Sequence, residues 1–333
     1  MSTVYVIENG ATVRKDGEQL KIDVPKGGTL LKMPLSKVDQ LVIFGNVTVT
    51  APAVRALLDQ GAPVVYLSSK GKLLGRLQPF ENKNVPLRWQ QFQAAADPEA
   101  RLNIAKSIVK GKLLNQRTLL QRAGREGISK LGTAISRLGA LVRQADKAKD
   151  LNSLRGVEGA GASEYFRQWP KLIRQLGFPF PGRVRRPPTD RVNSLLSFGY
   201  VLLLNEVFNA CHVVGFDPYV GYLHMDRYGR PALALDLMEE FRPVLVDSLV
   251  LAVINRRILE PEDFDTGLGG VKRMRPHALK KFLGAWEQKR RTFIRHPIYD
   301  QQVPYWRVIE LQARVLGKVL MGEMEEYIPF LTR

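Results

Sequence analysis

The apolar residues of this chain change their period once, near residue 80, and that change limits it to a fold in two parts. Up to residue 78, β-branched and aromatic residues come in short runs at 3–8, 19–24, 39–45, 47–50 and 63–68, which is the texture of strands. Glycines at 10, 17, 27, 28, 45 and 71 separate the runs. One helix is predicted among them, over 51–61, where Val54, Leu57 and Leu58 keep helical spacing and Gly61 serves as C-cap. ENKNVP at 81–86 opens a linker. Beyond it the period is helical, over 98–123, 128–147, 151–176, 190–213, 232–258, 275–293 and 302–323. The expected fold class is α+β. A small β-rich domain at 1–80 and a linker at 81–97 precede a larger all-α domain at 98–333.

Charge is distributed as unevenly as periodicity. Fifty Lys and Arg face 32 Asp and Glu, for a net charge of +18. Residues 1–78 hold only +4 of it, so the helical part carries most of the attraction for polyanions. Nucleic acid is the expected partner. No continuous run of about 18 apolar residues is seen, so no membrane partner is expected. The opening MSTVYVIENG has neither the basic nor the apolar region of a signal peptide. Cys211 is the only cysteine, which excludes an internal disulfide and agrees with a reducing, prokaryotic cytoplasm.

Three stretches carry residues fit for chemistry. Glu158 lies among Gly156, Gly159 and Gly161. So many glycines in a helical segment indicate a close approach to the backbone, by a phosphate chain or by a packed helix. His224 sits beside the turn Tyr228-Gly229-Arg230-Pro231, where a core histidine is the plainer reading. Asp236, Glu239 and Glu240 follow in an otherwise apolar run. Buried acids are costly unless paired or metal-bound, and Arg242, three residues after Glu239, offers a salt bridge as the alternative. One His with carboxylates is a hard, oxygen-rich donor set, which suits Mg²⁺ or Mn²⁺. Basic residues cluster on 105–122, with Lys110, Lys112 and Arg117, and on 183–188, with Arg185 and Arg186. Arg155 and Arg242 join these as candidate DNA contacts.

These motifs together resemble a known family, the CRISPR-associated integrase Cas1, over nearly the whole chain. VYVIENGATVRKDGEQLKID and PLSKVDQLVIFGNVTVTAPAVRALLDQG are similar to its N-terminal β-domain. GVEGAGASEYF, RRPPTDRVNSLLSFGYVLL, GFDPYVGYLH and LALDLMEEFRP resemble its metal-binding and central-helix segments. The resemblance implies Glu158, His224 and Glu239 as metal ligands. It gives Asp236 a direct or supporting place and assigns Asn193 to orienting phosphate or water, with helix packing as the alternative. It implies joining of DNA 3′-OH ends into a repeat array by transesterification. It also implies a homodimer built by the β-rich domain and a small ferredoxin-like partner dimer. A stand-alone metal nuclease or resolvase acting on branched DNA, and a non-catalytic DNA-binding scaffold, are the competing readings.

Overall fold

The structure is a computed structural model that describes residues 2–25, 27–80, 84–184, 187–224 and 227–332. Arg185 and Arg186 lie outside the described residues. The chain divides into two compact units, Met1–Glu81 and Asn82–Arg333.

The first unit holds β1 (Ser2–Val6), β2 (Thr12–Asp16), β3 (Gln19–Val24), β4 (Gly28–Pro34), β5 (Val38–Phe44) and β6 (Thr48–Val49). Helix α1 (Ala51–Asp59), β7 (Val64–Leu67) and β8 (Leu73–Leu77) complete it. Two four-stranded sheets form, ordered β1-β5-β7-β8 and β4-β3-β2-β6. In the first, β5 pairs in parallel with β1 and β7, while β8 closes the edge antiparallel to β7. Their shared core comprises Val4, Val6, Val13, Leu20, Ile22, Leu41, Ile43, Leu57 and Val64, among others. β4 and β8 are edge strands and nearly bare: Leu30, Leu31, Leu73, Leu74 and Leu77 are all exposed.

The second unit is helical. It runs through α2 (Val85–Ala96), α3 (Pro98–Arg125), α4 (Gly132–Asp146), α5 (Leu151–Arg167), α6 (Trp169–Leu172) and α7 (Arg191–Val214). α8 (Ala232–Leu237), a π-helical stretch Arg242–Asp247 and α9 (Ser248–Asn255) follow. Two short hairpins, β9 (Phe264–Thr266) with β10 (Lys272–Met274) and β11 (Phe293–Arg295) with β12 (Gln302–Pro304), flank α10 (Pro276–Arg290). α11 (Tyr305–Leu320) ends the series. Side-chain caps fix the helix starts. Asp97 accepts from the amides of Glu99 and Ala100, Asp150 and Ser153 form a reciprocal box on α5, and Asp190 accepts from Asn193 N on α7. α3, α4 and α5 pack on one another, and α7 packs against α8, α9, α11 and the π-helical stretch.

Two expectations are corrected. Much of the expected linker 81–97 is α2, because Asn84 caps it and Pro86 occupies its first turn. The single helix expected over 232–258 is broken after α8. Pro243 lacks an N–H and its ring crowds the carbonyl four residues back, at Glu239. A membrane-length helix also exists: α7 reaches a mean hydropathy of 1.3, with half of that window buried. Its apolar run is interrupted by Asn193, Ser194, Ser197 and Asn205, so it does not read as continuous. In the fold it is the central core helix.

Candidate metal centre

Glu158 projects from α5, and the helix passes through all three neighbouring glycines without a break. Only Gly161 is sterically required there. A Cβ at 161 would collide with the side chain of Leu113 on α3, so the glycine lets two helices close up. Gly156 and Gly159 face open space.

His224 is held by a carboxylate. Asp236, fully buried on α8, accepts hydrogen bonds at Oδ2 from the amides of Tyr222 (2.6 Å) and Leu223 (2.9 Å). At Oδ1 it accepts from the amide of His224 (3.0 Å) and meets the ring Nδ1 (2.6 Å). A carboxylate receiving so many donors acts as acceptor, which places a proton on Nδ1 and turns Nε2 away from Asp236; in the neutral ring Nε2 is the lone-pair donor. Both oxygens of Asp236 are thereby engaged, and its place is behind His224. Gly221 makes this possible, since a Cβ there would stand 2.7 Å from Asp236 Oδ2 and from the Ala232 backbone. Three further side chains brace the loop from outside. Gln91 donates to the carbonyls of Asp217 and Val220, Arg101 to that of Tyr222, and Arg155 to that of Leu223.

His224 Nε2 lies 3.8 Å from Glu239 Oε1. Glu239, at the helix break, also meets Arg242 at 3.3 Å and Lys112 at 2.6 Å, and the Lys112 ammonium makes its other ion pair with Glu158. One buried lysine thus bridges the two acids. Burial alone would raise the Glu239 carboxyl. Arg242 and Lys112, the two largest opposing charges, outweigh it and hold the group at about 2. The same attraction, against desolvation, raises the Lys112 ammonium above its usual range. The salt bridge to Arg242 and the assembly around Glu239 are therefore present together rather than as alternatives.

Among the described residues no three His, Cys, Asp or Glu side chains close up into a ready ligand set. Lys112 stands between Glu158 and Glu239 instead. The donor chemistry nonetheless fits a hard divalent cation. Two carboxylates already share one positive charge, and a neutral imidazole nitrogen beside them is oriented by a buried acid.

The other sequence candidates separate. Glu240 faces away and docks the C-terminal segment. It accepts from Tyr327 OH (2.8 Å), Phe330 N (2.7 Å) and Gln312 Nε2 (3.2 Å), and burial pushes its carboxyl up to about 8. Asn193 is fully buried and engaged with the 182–190 loop: it donates to Gly182 O and Asp190 Oδ2 and accepts from Arg183 and Val184 N. These bonds agree with the packing alternative. One expected DNA contact, Lys112, is corrected, and two others are engaged within the protein. Lys112 is buried between two acids, Arg242 is half-buried against Glu239, and Arg155 ties α5 to the His224 loop. Lys110 is ion-paired to Asp146 at 2.7 Å. Arg117 remains available beside a cavity.

Sequence reasoning missed the groups behind Arg242. Its guanidinium lies 4.7 Å over the Tyr200 ring, and Tyr200 donates to Asp247 Oδ1 at 2.6 Å. Tyr165 donates to the other oxygen at 3.0 Å. Burial pushes Asp247 up to about 6, against the pull of both tyrosines and Arg242. The signal was available, since Asp247 is a lone acid within PVLVDSLVL.

Fold and site together define a class: an α+β chain whose helical part gathers two acids, a histidine and buried cations about one point. The family model described as CRISPR associated protein Cas1 matches residues 4–288. A CRISPR-associated endonuclease Cas1 of Thermus thermophilus is 43% identical, covering all of this chain and 98% of its own. A solved casposase bound to integration product superposes with a TM-score of 0.88 at 25% identity, covering 98% of this chain and 93% of its own. A chain of a Cas6-RT-Cas1–Cas2 complex reaches 0.81 at 26% identity, covering 98% of this chain and 36% of its own. The chain belongs to the Cas1 family, whose relatives are named endonucleases.

Proposed function

We propose that this chain is a metal-dependent DNA endonuclease and integrase of CRISPR adaptation, joining 3′-OH ends of new spacer DNA into the repeat array. One observation carries the reading. Glu158, Glu239 and Nε2 of His224 surround a point where Lys112 supplies positive charge. These three residues would hold Mg²⁺ or Mn²⁺. The bound ion supplies Lewis-acid polarisation of a phosphoryl oxygen and stabilises charge on the attacking and leaving oxygens.

The remaining work falls to the chain's own residues. Asp236 keeps the His224 proton on Nδ1, so Nε2 stays a lone-pair donor. Arg242 keeps Glu239 ionised and anchored. Lys112 holds Glu158 and Glu239 together and would share with an ion held there the neutralisation of phosphate charge. In joining, the 3′-oxygen of the incoming strand bonds to phosphorus and the target strand's own 3′-oxygen leaves, so one 3′-hydroxyl is consumed and another released. In cleavage, water supplies the attacking oxygen. The exposed leucines on edge strands β4 and β8 support a homodimer through the N-terminal unit. A small ferredoxin-like partner dimer and double-stranded DNA are the other proposed partners, in the cytoplasm of a prokaryote.

The test is a joining assay with labelled DNA and a repeat-bearing plasmid, with and without the small partner. Wild type should join the fragment in the presence of Mg²⁺ or Mn²⁺. Glu239→Ala should lose joining while keeping DNA affinity within about threefold, because binding rests on many phosphate contacts. Cutting without joining would favour the nuclease reading, which the names of the relatives also support. Full activity in Glu239→Ala would refute the site.

A further inference from the structure

We infer a second phosphate-binding site, separate from the metal centre, in the seam between α3 and α4. A cavity of about 420 Å³ opens there, lined by Leu114 and Arg117 of α3 and by Ser136, Gly139, Val142 and Arg143 of α4. The α4 residues fall at helical spacing, so they form one face. Gly139 is the floor. The Arg117 guanidinium lies against it, 3.6 Å from where a Cβ would stand. Arg117 Nε is buried and has no hydrogen-bond partner.

What marks this seam is its unanswered charge. Further along it, Lys110 is neutralised by Asp146, and elsewhere on α4 Arg137 reaches Glu164 of α5. Among the described residues neither Arg117 nor Arg143 has an acidic partner. Two guanidiniums and a hydroxyl around one hollow match the oxygens of a phosphate, which arginine binds with paired N–H groups. Ligand sites span roughly 300–1,000 Å³, so this one admits a phosphate with part of its sugar.

The lining also says which phosphate. It contains no aromatic ring to stack a base and no amide or carboxylate to read one. The site is therefore suited to a strand's backbone rather than to a free nucleotide. Arg117 follows Lys112 by five residues on α3, about 7.5 Å along the axis and on another face. The seam thus grips a phosphodiester of bound DNA away from the reacting one, without regard to sequence. This deepens the reading of the chain as a DNA-processing enzyme and rests on it.

The experiment measures binding of the full chain to a labelled DNA duplex by fluorescence anisotropy across a salt series. Arg117→Ala/Arg143→Ala should weaken binding about tenfold at moderate salt and lower the salt slope by roughly one, as loss of one phosphate contact requires. Gly139→Leu, which fills the hollow and keeps both arginines, should weaken binding comparably. Unchanged Tm and an unchanged Mn²⁺-induced shift in Tm would show that both variants fold. Affinity within twofold of wild type, with the same slope, in folded variants overturns the proposal. So does tighter wild-type binding to an RNA duplex of the same sequence, or inorganic phosphate raising the Tm while DNA affinity ignores the substitutions. If wild type fails to join or cut DNA yet the variants lose affinity, the site stands and the catalytic reading falls. If wild type joins DNA and the variants bind normally, the reverse holds.

Discussion

At the candidate metal centre, charges meet charges inside the protein; around the α3–α4 cavity they do not. Lys112 lies between Glu158 and Glu239, Arg242 is set against Glu239, and His224 is held by Asp236. Five residues further along α3, Arg117 has no such answer. Both regions draw on the same basic helix. The difference teaches that a positive residue in a basic cluster can serve the protein or a ligand. Burial beside acids decides which, not position in the basic cluster. An internally balanced centre can be assembled before any ion or DNA arrives. An unbalanced seam is completed only by a ligand.

The comparison breaks first at Asp236. Asp236→Asn should lower Mn²⁺ affinity, measured calorimetrically, by about 10- to 100-fold, the usual cost of removing a carboxylate behind a ligating histidine. An affinity within threefold of wild type would mean that His224 needs no support. Next comes Lys112→Met, which leaves two carboxylates facing each other without their bridge. Without divalent metal it should cost about 3 kcal/mol, as breaking a buried pair does. Excess Mn²⁺ should then raise the Tm of the variant by more than it raises that of wild type. An equal or smaller rise would show that lysine and metal do not share a place.

The smallest effect tests whether the centre's surroundings are balanced too. Asp247 has its carboxyl raised to about 6 by burial. A raised folded-state value means the group binds its proton more tightly when folded. The stability this gives is complete below about pH 4 and is lost as pH rises through about 6. Asp247→Asn cannot ionise, so its stability relative to wild type should grow by about 2 kcal/mol between pH 4 and pH 7. A difference that stays flat over that range would show that Tyr165, Tyr200 and Arg242 fully compensate the charge.

Much of this was legible in the sequence, and the failures have physical causes. Long helices carry several turns of periodic burial, so α3, α5, α7 and α11 stood out. β2, β4 and β8 did not, because TVRKD, GTLLKMP and LLGRL leave most of their residues exposed and show no alternation. Their pairing is set by neighbouring strands. The three acids at 236–240 were visible as a group, but their division was not. Asp236 turns toward the His224 loop, Glu239 toward α3 and α5, and Glu240 toward the C-terminal segment, and the break before Pro243 helps separate them. Lys112 read as one more phosphate contact because charge on a helix does not announce its depth.

The bridge made by Lys112 has a consequence for the protein's life in a cell. A centre that carries its own cation does not need metal to be folded. On the proposed metal-dependent reading, scarcity of Mg²⁺ or Mn²⁺ would silence the enzyme without exposing it to proteases. Its copy number would hold steady while its activity followed the ion supply.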